Sequence, residues 1–257
     1  MAKAIVISSA KGGVGKTVTA INLAFALNLL GKKAVIVDGN LATPNVGLHL
    51  SCPVVPISLN HVLEGKKHIY KATYVHHSGT KVVPASLSTN IKEIKPSRFK
   101  EAIRALKKIA DFIIIDSAPG LRDTLPLIQA LDEEDEIFIV TNPEMPAVAD
   151  ALRTIKLAEK MQKKVAGVIV TRVKNKRKQE LSIKNMKEMF EKPVLAKIPE
   201  DDAVHESIMQ RKPLVLMHPK SKAAKSYMRL AAKISNAEYK EKSFFEKLFG
   251  WFFGKNF

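Results

Sequence analysis

The stretch Ala10-Lys11-Gly12-Gly13-Val14-Gly15-Lys16-Thr17 constrains this chain more than any other part of it. The apolar run Ala4-Ile5-Val6-Ile7 precedes it, and Val18, Ile21, Leu23, Ala24, Leu27 and Leu30 follow at helical spacing. The order is strand, glycine-rich loop, helix. Glycines at 12, 13 and 15 permit a tight turn whose N–H groups converge on an anion, and the helix opening near Lys16 adds the positive end of its dipole. A polyphosphate fits such a loop. Lys16 can reach its terminal oxygens, and the Thr17 hydroxyl is placed to ligate a divalent cation that bridges them. The spacing is that of a Walker A loop, with Ala10 where the first glycine usually stands.

Other features limit what surrounds the loop. A chain of 257 residues, 46% of them hydrophobic, suits one large α/β domain with a full core. Cys52 is the only cysteine, which excludes an intrachain disulfide and a cysteine-built metal or iron–sulfur site within one subunit, and fits a reducing cytoplasm. The apolar run after Lys3 ends too soon for a signal peptide, and no stretch approaches the ~18 to 20 apolar residues of a membrane span. The net charge of +17, from 42 Lys and Arg against 25 Asp and Glu, implies attraction to nucleic acid or anionic lipid, or a lysine-rich surface suited to heat.

Two further strands end in acids. Ala34-Val35-Ile36-Val37-Asp38 follows Gly31, a helix-terminating residue, and Asp111-Phe112-Ile113-Ile114-Ile115-Asp116 follows a helical pattern from Arg98 to Ile109. In a parallel sheet ligands sit beyond the carboxyl ends of the strands, so Asp38 and Asp116 are expected near the cation, Asp116 as a Walker B acid. Ser117-Ala118-Pro119-Gly120 supplies a turn able to sense the terminal phosphate. Between the acids, residues 46 to 96 predict loops around a short helix near Leu59 to Glu64 and a strand near Lys81 to Pro84. His61, His68, His76 and His77 there show no ligand spacing and read as solvated. Glu136 to Thr141 and Val165 to Thr171 predict strands, with a helix from about Pro146 to Met161 between them.

With Lys11 before the glycines, Lys-Gly-Gly-Val-Gly-Lys-Thr resembles the deviant Walker A of the MinD/ParA ATPases, and the similarity runs from residue 3 to about 235. The resemblance implies a three-layer α/β P-loop NTPase fold, a mostly parallel twisted sheet flanked by helices, with ATP and Mg2+ bound. It further implies a homodimer formed with ATP, in which Lys11 crosses the interface to the partner's nucleotide and stabilises charge in trans beside Lys16. Gly12, Gly13, Val14, Gly15, Lys16, Thr17 and Val18 would hold the nucleotide, with Thr17, Asp38 and Asp116 managing the magnesium. Residues 38 to 45, ending at Asn45, resemble switch I of the family, where a second acid two residues after the first polarises the attacking water; here that position is Asn40. An amide orients water but is no carboxylate base, so slow hydrolysis is expected. The turn after Asp116 also departs from the family's Asp-Ser-Pro-Ala-Gly. By the same resemblance Glu144, in Asn142-Pro143-Glu144, faces the partner's nucleotide, although an acid near a helix start is adequate physically. Arg172, with Pro199 and Asp201 in Ile198-Pro199-Glu200-Asp201, would bracket the adenine.

Two basic or aromatic segments bear on partners. Arg172, Lys174, Lys176, Arg177 and Lys178 form the densest basic run, either a solvated loop or a DNA contact. After a domain over 1–235 and a polar tether over 236–242, residues 243–257 hold six of the eleven phenylalanines and the only tryptophan. Phe245, Leu248, Phe249 and Phe252 fall on one helical stripe, and Trp251 suits a headgroup boundary. This amphipathic helix resembles the C-terminal membrane-targeting helix of MinD proteins; the alternative is a terminal helix docked on its own core. The functions implied are a membrane-associating ATPase of spatial regulation such as division-site placement, cytoplasmic and peripheral on the inner membrane face, with an unidentified protein partner or activator. The rivals are a ParA-type ATPase that partitions DNA by binding the nucleoid and an ATPase that positions a surface appendage.

Overall fold

The computed structural model describes residues 2–87, 95–174 and 180–239. Lys176, Arg177, Lys178, Phe245, Leu248, Phe249, Trp251 and Phe252 lie outside the described residues.

The architecture follows from apolar runs too dense for a one-sided sheet. Strands β1 (Lys3–Ser8), β2 (Ala34–Asp38), β5 (Phe112–Asp116) and β6 (Glu136–Thr141) are buried almost throughout, as parallel strands covered on both faces must be. With β3 (Tyr74–Val75), β4 (Lys81–Val83), β7 (Val165–Val173) and β8 (Val194–Pro199) they make an eight-stranded sheet in the order β3-β4-β2-β5-β1-β6-β7-β8. Only the edge strand β3 runs antiparallel.

Helices cover both faces. Over one face lie α1 (Lys16–Leu29), α2 (Val46–His49), α9 (Leu214–Met217) and α10 (Lys222–Ser235), whose Ala223, Ala224, Tyr227, Leu230 and Ala231 pack into one core. Helix α1 is buried from Thr19 to Leu27 because the sheet lies beneath it and α10 beside it. Over the other face lie α3 (Leu59–Leu63), α4 (Pro96–Lys107), α5 (Leu121–Gln129), α6 (Met145–Lys160) and α7 (Ile183–Phe190). Helix α4 shows why: Phe99, Ala102, Ile103 and Leu106 make one apolar stripe. Helix α8 (Asp202–Met209) follows β8 at the carboxyl end of the sheet.

Within the described residues the expected strands and helices form, with small differences at their ends. Leu30 is the C-cap of α1, and Gly31 follows it at φ 77°, donating its N–H to the Asn28 carbonyl. Strand β7 continues past Thr171 to Val173, and Arg172 sits inside it at φ 53°, where its register with β8 shifts. The chain crosses from β1 through α1 to β2 on one side, and from β5 to β6 on the other. Neighbouring strands thus leave β1 in opposite directions, and their carboxyl ends open a crevice where such sheets bind ligands.

Candidate nucleotide site

The glycine-rich loop fills that crevice. Ser9 staples its start: the Lys11 N–H donates to Ser9 Oγ at 3.1 Å, and the Ser9 hydroxyl donates to the Lys11 carbonyl at 2.8 Å. Gly13 at φ 75° and Gly15 at φ 90° occupy left-handed backbone that a side chain would strain. On the far side, the Thr171 hydroxyl bonds the Val14 carbonyl at 2.7 Å and the Thr141 carbonyl at 3.1 Å, tying the loop to the ends of β6 and β7. These bonds fix both ends of the loop.

Lys16 is 7% exposed, and its ammonium lies 3.4 Å from the Lys11 carbonyl. Burial lowers its pKa from the ordinary lysine value, and the charge of Asp116 opposes the shift. The Thr17 hydroxyl donates to Asp116 Oδ2 at 2.6 Å. Asp116 is buried, and burial pushes its carboxyl up to about 6 against the Thr17 bond and the Lys16 charge. Its Oδ1 is buried without a hydrogen-bond partner. Ser8 Oγ and Asn142 Oδ1, at the ends of β1 and just beyond β6, are buried unpartnered too. Orphaned oxygens converging on one crevice are what a hydrated cation and a polyphosphate would satisfy. The hard oxygen donors of Thr17 and Asp116 suit Mg2+.

Asp38 is engaged differently. Its Oδ1 accepts from the Asn40 N–H at 3.2 Å, and its Oδ2 from the N–H groups of Asn45 at 3.1 Å and Val46 at 3.0 Å. Burial, then the charge of Asp116, raises its pKa well above the carboxylate norm, against those three bonds. Asp38 therefore closes the loop from Asn40 to Val46 onto its strand and lies beside Asp116 across the β2–β5 pair. Gly39 allows this. A Cβ there would stand 2.7 Å from the Asp116 carbonyl oxygen and 2.9 Å from Leu127 Cδ1, and the Gly39 N–H donates to that carbonyl at 2.8 Å.

Asn40 is buried and committed to its own loop. Its Nδ2 donates to the Thr43 carbonyl at 2.6 Å, and its Oδ1 accepts from the Thr43 N–H at 3.1 Å. The side chain closes a local turn. In this arrangement its carbonyl oxygen is engaged by Thr43 rather than turned to water.

Lys11 and Glu144 meet at the rim, Nζ to Oε2, at 3.3 Å, with both side chains exposed. That bond is the first cause holding the Glu144 carboxyl below its ordinary range. Beyond Gly15 lies a cavity of about 270 Å³ floored by Val14, Val18, Ile198 and Tyr227. Arg172, Pro199 and Asp201 stand around it. Both Asp201 carboxylate oxygens are taken, one by the Ala203 N–H at 3.1 Å and one by the Ala223 N–H at 3.1 Å, which joins α8 to α10. The Tyr227 hydroxyl meets Thr19 Oγ1 at 3.2 Å, and burial raises its pKa to about 12. Three residues that shape the site, Ser9, Gly39 and Tyr227, escape the sequence pattern. Only the place of Gly39, directly after a strand-ending acid, signals it.

A doubly wound parallel sheet with a lysine-threonine phosphate loop and strand-ending acids defines a P-loop nucleotide-binding protein. Residues 5–214 match the model of the CobQ/CobB/MinD/ParA nucleotide binding domain, and the chain belongs to this family of MinD/ParA-type P-loop ATPases. An uncharacterized ATP-binding protein of Methanocaldococcus jannaschii is 36% identical over 99% of this chain and 98% of its own length. The septum site-determining protein MinD of Pyrococcus horikoshii, solved with Mg-ADP, superposes with a TM-score of 0.81 at 31% identity, covering 91% of this chain and 96% of that one. MinD in the MinC:MinD cell division complex of Aquifex aeolicus reaches 0.83 at 29% identity, covering 94% and 99%. Among the described residues no helix is long and apolar enough to cross a membrane.

Proposed function

We propose that this protein is an ATP-dependent dimerising, membrane-associating ATPase of spatial regulation, most simply of division-site placement. The observation that carries the reading is the arrangement of Lys16, Thr17 and Asp116 beneath a stapled loop, with Lys11 exposed at its rim. The reaction is in-line attack of water on the γ-phosphorus: a new P–O bond forms, the bond to the β–γ bridging oxygen breaks, and ADP and phosphate leave.

The residues divide the work by position. The Gly12, Gly13 and Gly15 backbone holds the phosphates, and Lys16, desolvated and close to Asp116, draws charge from the transferring group. Thr17 and Asp116 would hold Mg2+, with Asp38 governing the loop beside it; the bound ion neutralises charge across the phosphates. Glu144 holds Lys11 within its own subunit, and on dimerisation Lys11 turns to the partner's nucleotide. Asn40, tied to Thr43, offers no carboxylate base, so the ATP state is long-lived. The base occupies the cavity between Arg172 and Pro199, over Val14 and Val18. The tether over 236–242 carries the amphipathic segment at 243–257. One such segment binds lipid weakly, and two in a dimer bind together because the second insertion is intramolecular. MinC, the partner in the Aquifex complex, indicates the type of protein that would read the dimer.

The test is sedimentation with anionic-lipid vesicles in ATP and in ADP, for the full chain and for Phe249→Asp/Phe252→Asp. Pelleting with ATP that the double variant loses supports the reading. Protein that stays in solution with ATP while retarding duplex DNA points instead to a partition ATPase, which the net charge of +17 would serve.

A further inference from the structure

The charge of this molecule is unevenly placed. No acidic residue occurs between Glu206 and Glu238, while that stretch holds Arg211, Lys212, Lys220, Lys222, Lys225, Arg229 and Lys233. The fold gathers the stretch on one side, since α9 and α10 pack beside α1 over the same face of the sheet. Helices α1 and α2 contain no carboxylate either. The acids lie elsewhere: Glu101, Asp150, Glu159 and Glu188 are on helices of the opposite layer, and Asp202 and Glu206 are on α8 at the nucleotide end.

Helix α10 organises this basic face. Its inner side is largely apolar, with Tyr227 and Leu230 set among alanines, and its core contacts fix which side points out. Lys222, Arg229 and Lys233 are exposed and Lys225 is partly so; their spacing of three, four and four residues makes one stripe along the helix, with the stripe ~17 Å long at 1.5 Å per residue. The side chains have a firm base, since Ser226 accepts from Arg229 Nη2 at 3.0 Å and donates to the Lys222 carbonyl at 3.0 Å. The helix carries four basic side chains and no acidic residue of its own.

What this face meets follows from where the chain goes next. Helix α10 ends at Ser235, and the aromatic segment begins at residue 243, so the intervening chain spans at most ~28 Å even when fully extended. A segment seated at a headgroup boundary therefore holds the end of α10 within that reach of the lipid surface, and a domain that settles onto the surface brings its lysines into the short range over which anionic headgroups attract them. We infer that the α10 stripe, Lys222, Lys225, Arg229 and Lys233, is a second membrane-contact surface that lays the folded domain against anionic lipid headgroups. The inference rests on the membrane reading of the tail. It adds an orientation: the face over α1, α9 and α10 turns to the bilayer and the opposite layer turns to the cytoplasm.

The experiment measures partition of the full chain, with ATP, onto vesicles of phosphatidylglycerol and phosphatidylcholine at several proportions. Three forms are compared: the parent, Lys222→Gln/Arg229→Gln/Lys233→Gln, and Lys156→Gln/Lys160→Gln/Lys184→Gln, which removes equal charge from the opposite layer. Each charge close to the surface contributes about fivefold to partition. The α10 triple variant is expected to lose roughly 10- to 100-fold on anionic vesicles, and the opposite-layer variant less than about threefold. Circular dichroism and Mg-ADP binding equal to the parent verify that both fold. Equal loss in the two variants would reduce the effect to net charge and overturn the stripe, as would an α10 variant that binds like the parent. Binding to duplex DNA, lost in the α10 variant while vesicle binding persists, would assign the stripe to nucleic acid and also overturn it. A parent that ignores vesicles at every composition refutes the tail reading itself, an outcome distinct from failure of the stripe alone.

Discussion

Substituting Gly39 tests whether the two strand-ending acids are held as a pair by close backbone approach. An added Cβ stands 2.7 Å from the Asp116 carbonyl oxygen, 2.9 Å from Leu127 Cδ1 and 3.1 Å from Ile115 Cγ2. The first of these is backbone and cannot swing away, so β2 and β5 must part at their carboxyl ends. Overpacking of this kind costs ~1–3 kcal/mol, and weakening the bond from the Gly39 N–H to Asp116 adds about 1, which makes ~2–4 kcal/mol in all. For a domain of this size that lowers Tm by roughly 5–15 °C. The same movement separates Asp116 from Thr17, so Mg-ADP affinity falls about tenfold or more. Differential scanning calorimetry and isothermal titration read the two effects. Gly31→Ala is the control: its Cβ meets nothing within 4 Å, and only the φ of +77° is strained, so it loses about 1 kcal/mol and keeps its nucleotide affinity. A Gly39→Ala protein that melts within about a degree of the parent and binds Mg-ADP equally would refute the reasoning.

Other consequences follow from named contacts. Because burial raises Asp116 to about 6, its carboxyl is protonated below that pH and would have to ionise to hold Mg2+ as proposed; Mg-nucleotide binding is then expected to release a proton below about pH 6 and none well above it, measured by calorimetry in buffers of different ionisation enthalpy. The sign for folding is opposite to that of a salt-bridged acid: stability from protonated Asp116 is complete below its unfolded value and is lost as pH rises through about 6, visible in melts without ligand. Tyr227→Phe strands the buried Thr19 hydroxyl and lowers stability by about 1–2 kcal/mol in urea; adding Thr19→Val should recover much of it, and no recovery would deny the pair. If the lysine acts on the partner's phosphates, as proposed, Lys11→Ala should cut ATP turnover by about 100-fold or more while Mg-ADP affinity stays within about threefold; equal losses in both would make it an ordinary ligand of its own site.

How much was legible in the sequence depended on how local the cause was. The phosphate loop, the acid-tipped strands and the apolar stripe of α4 are written in short-range pattern, and the strands and helices formed where that pattern lies. The β3 edge strand was not visible, because two residues pair with β4 only through a hairpin that Tyr74 and Val75 do not encode by alternation. Helices α7, α8 and α9 are short, and their caps, Ser182, Asp201 and Pro213, carry no long apolar period. In the site, chemistry was readable and support was not. Thr171 clamping Val14 joins residues 157 positions apart, and Tyr227 reaching Thr19 spans 208, distances no local pattern reports. Asn40 shows the same limit: its departure from an acid is plain in the sequence, but its pair of hydrogen bonds with Thr43, one of which uses an amide donor that aspartate lacks, appears only in three dimensions.

The proposed membrane switch and the proposed use of Lys11 in trans both require ATP-driven pairing of two subunits. Sedimentation equilibrium of the full chain in Mg-ATP and in Mg-ADP measures it directly. Twice the monomer mass in ATP and the monomer mass in ADP is the predicted result. A single mass in both nucleotides, whether monomer or dimer, would contradict it.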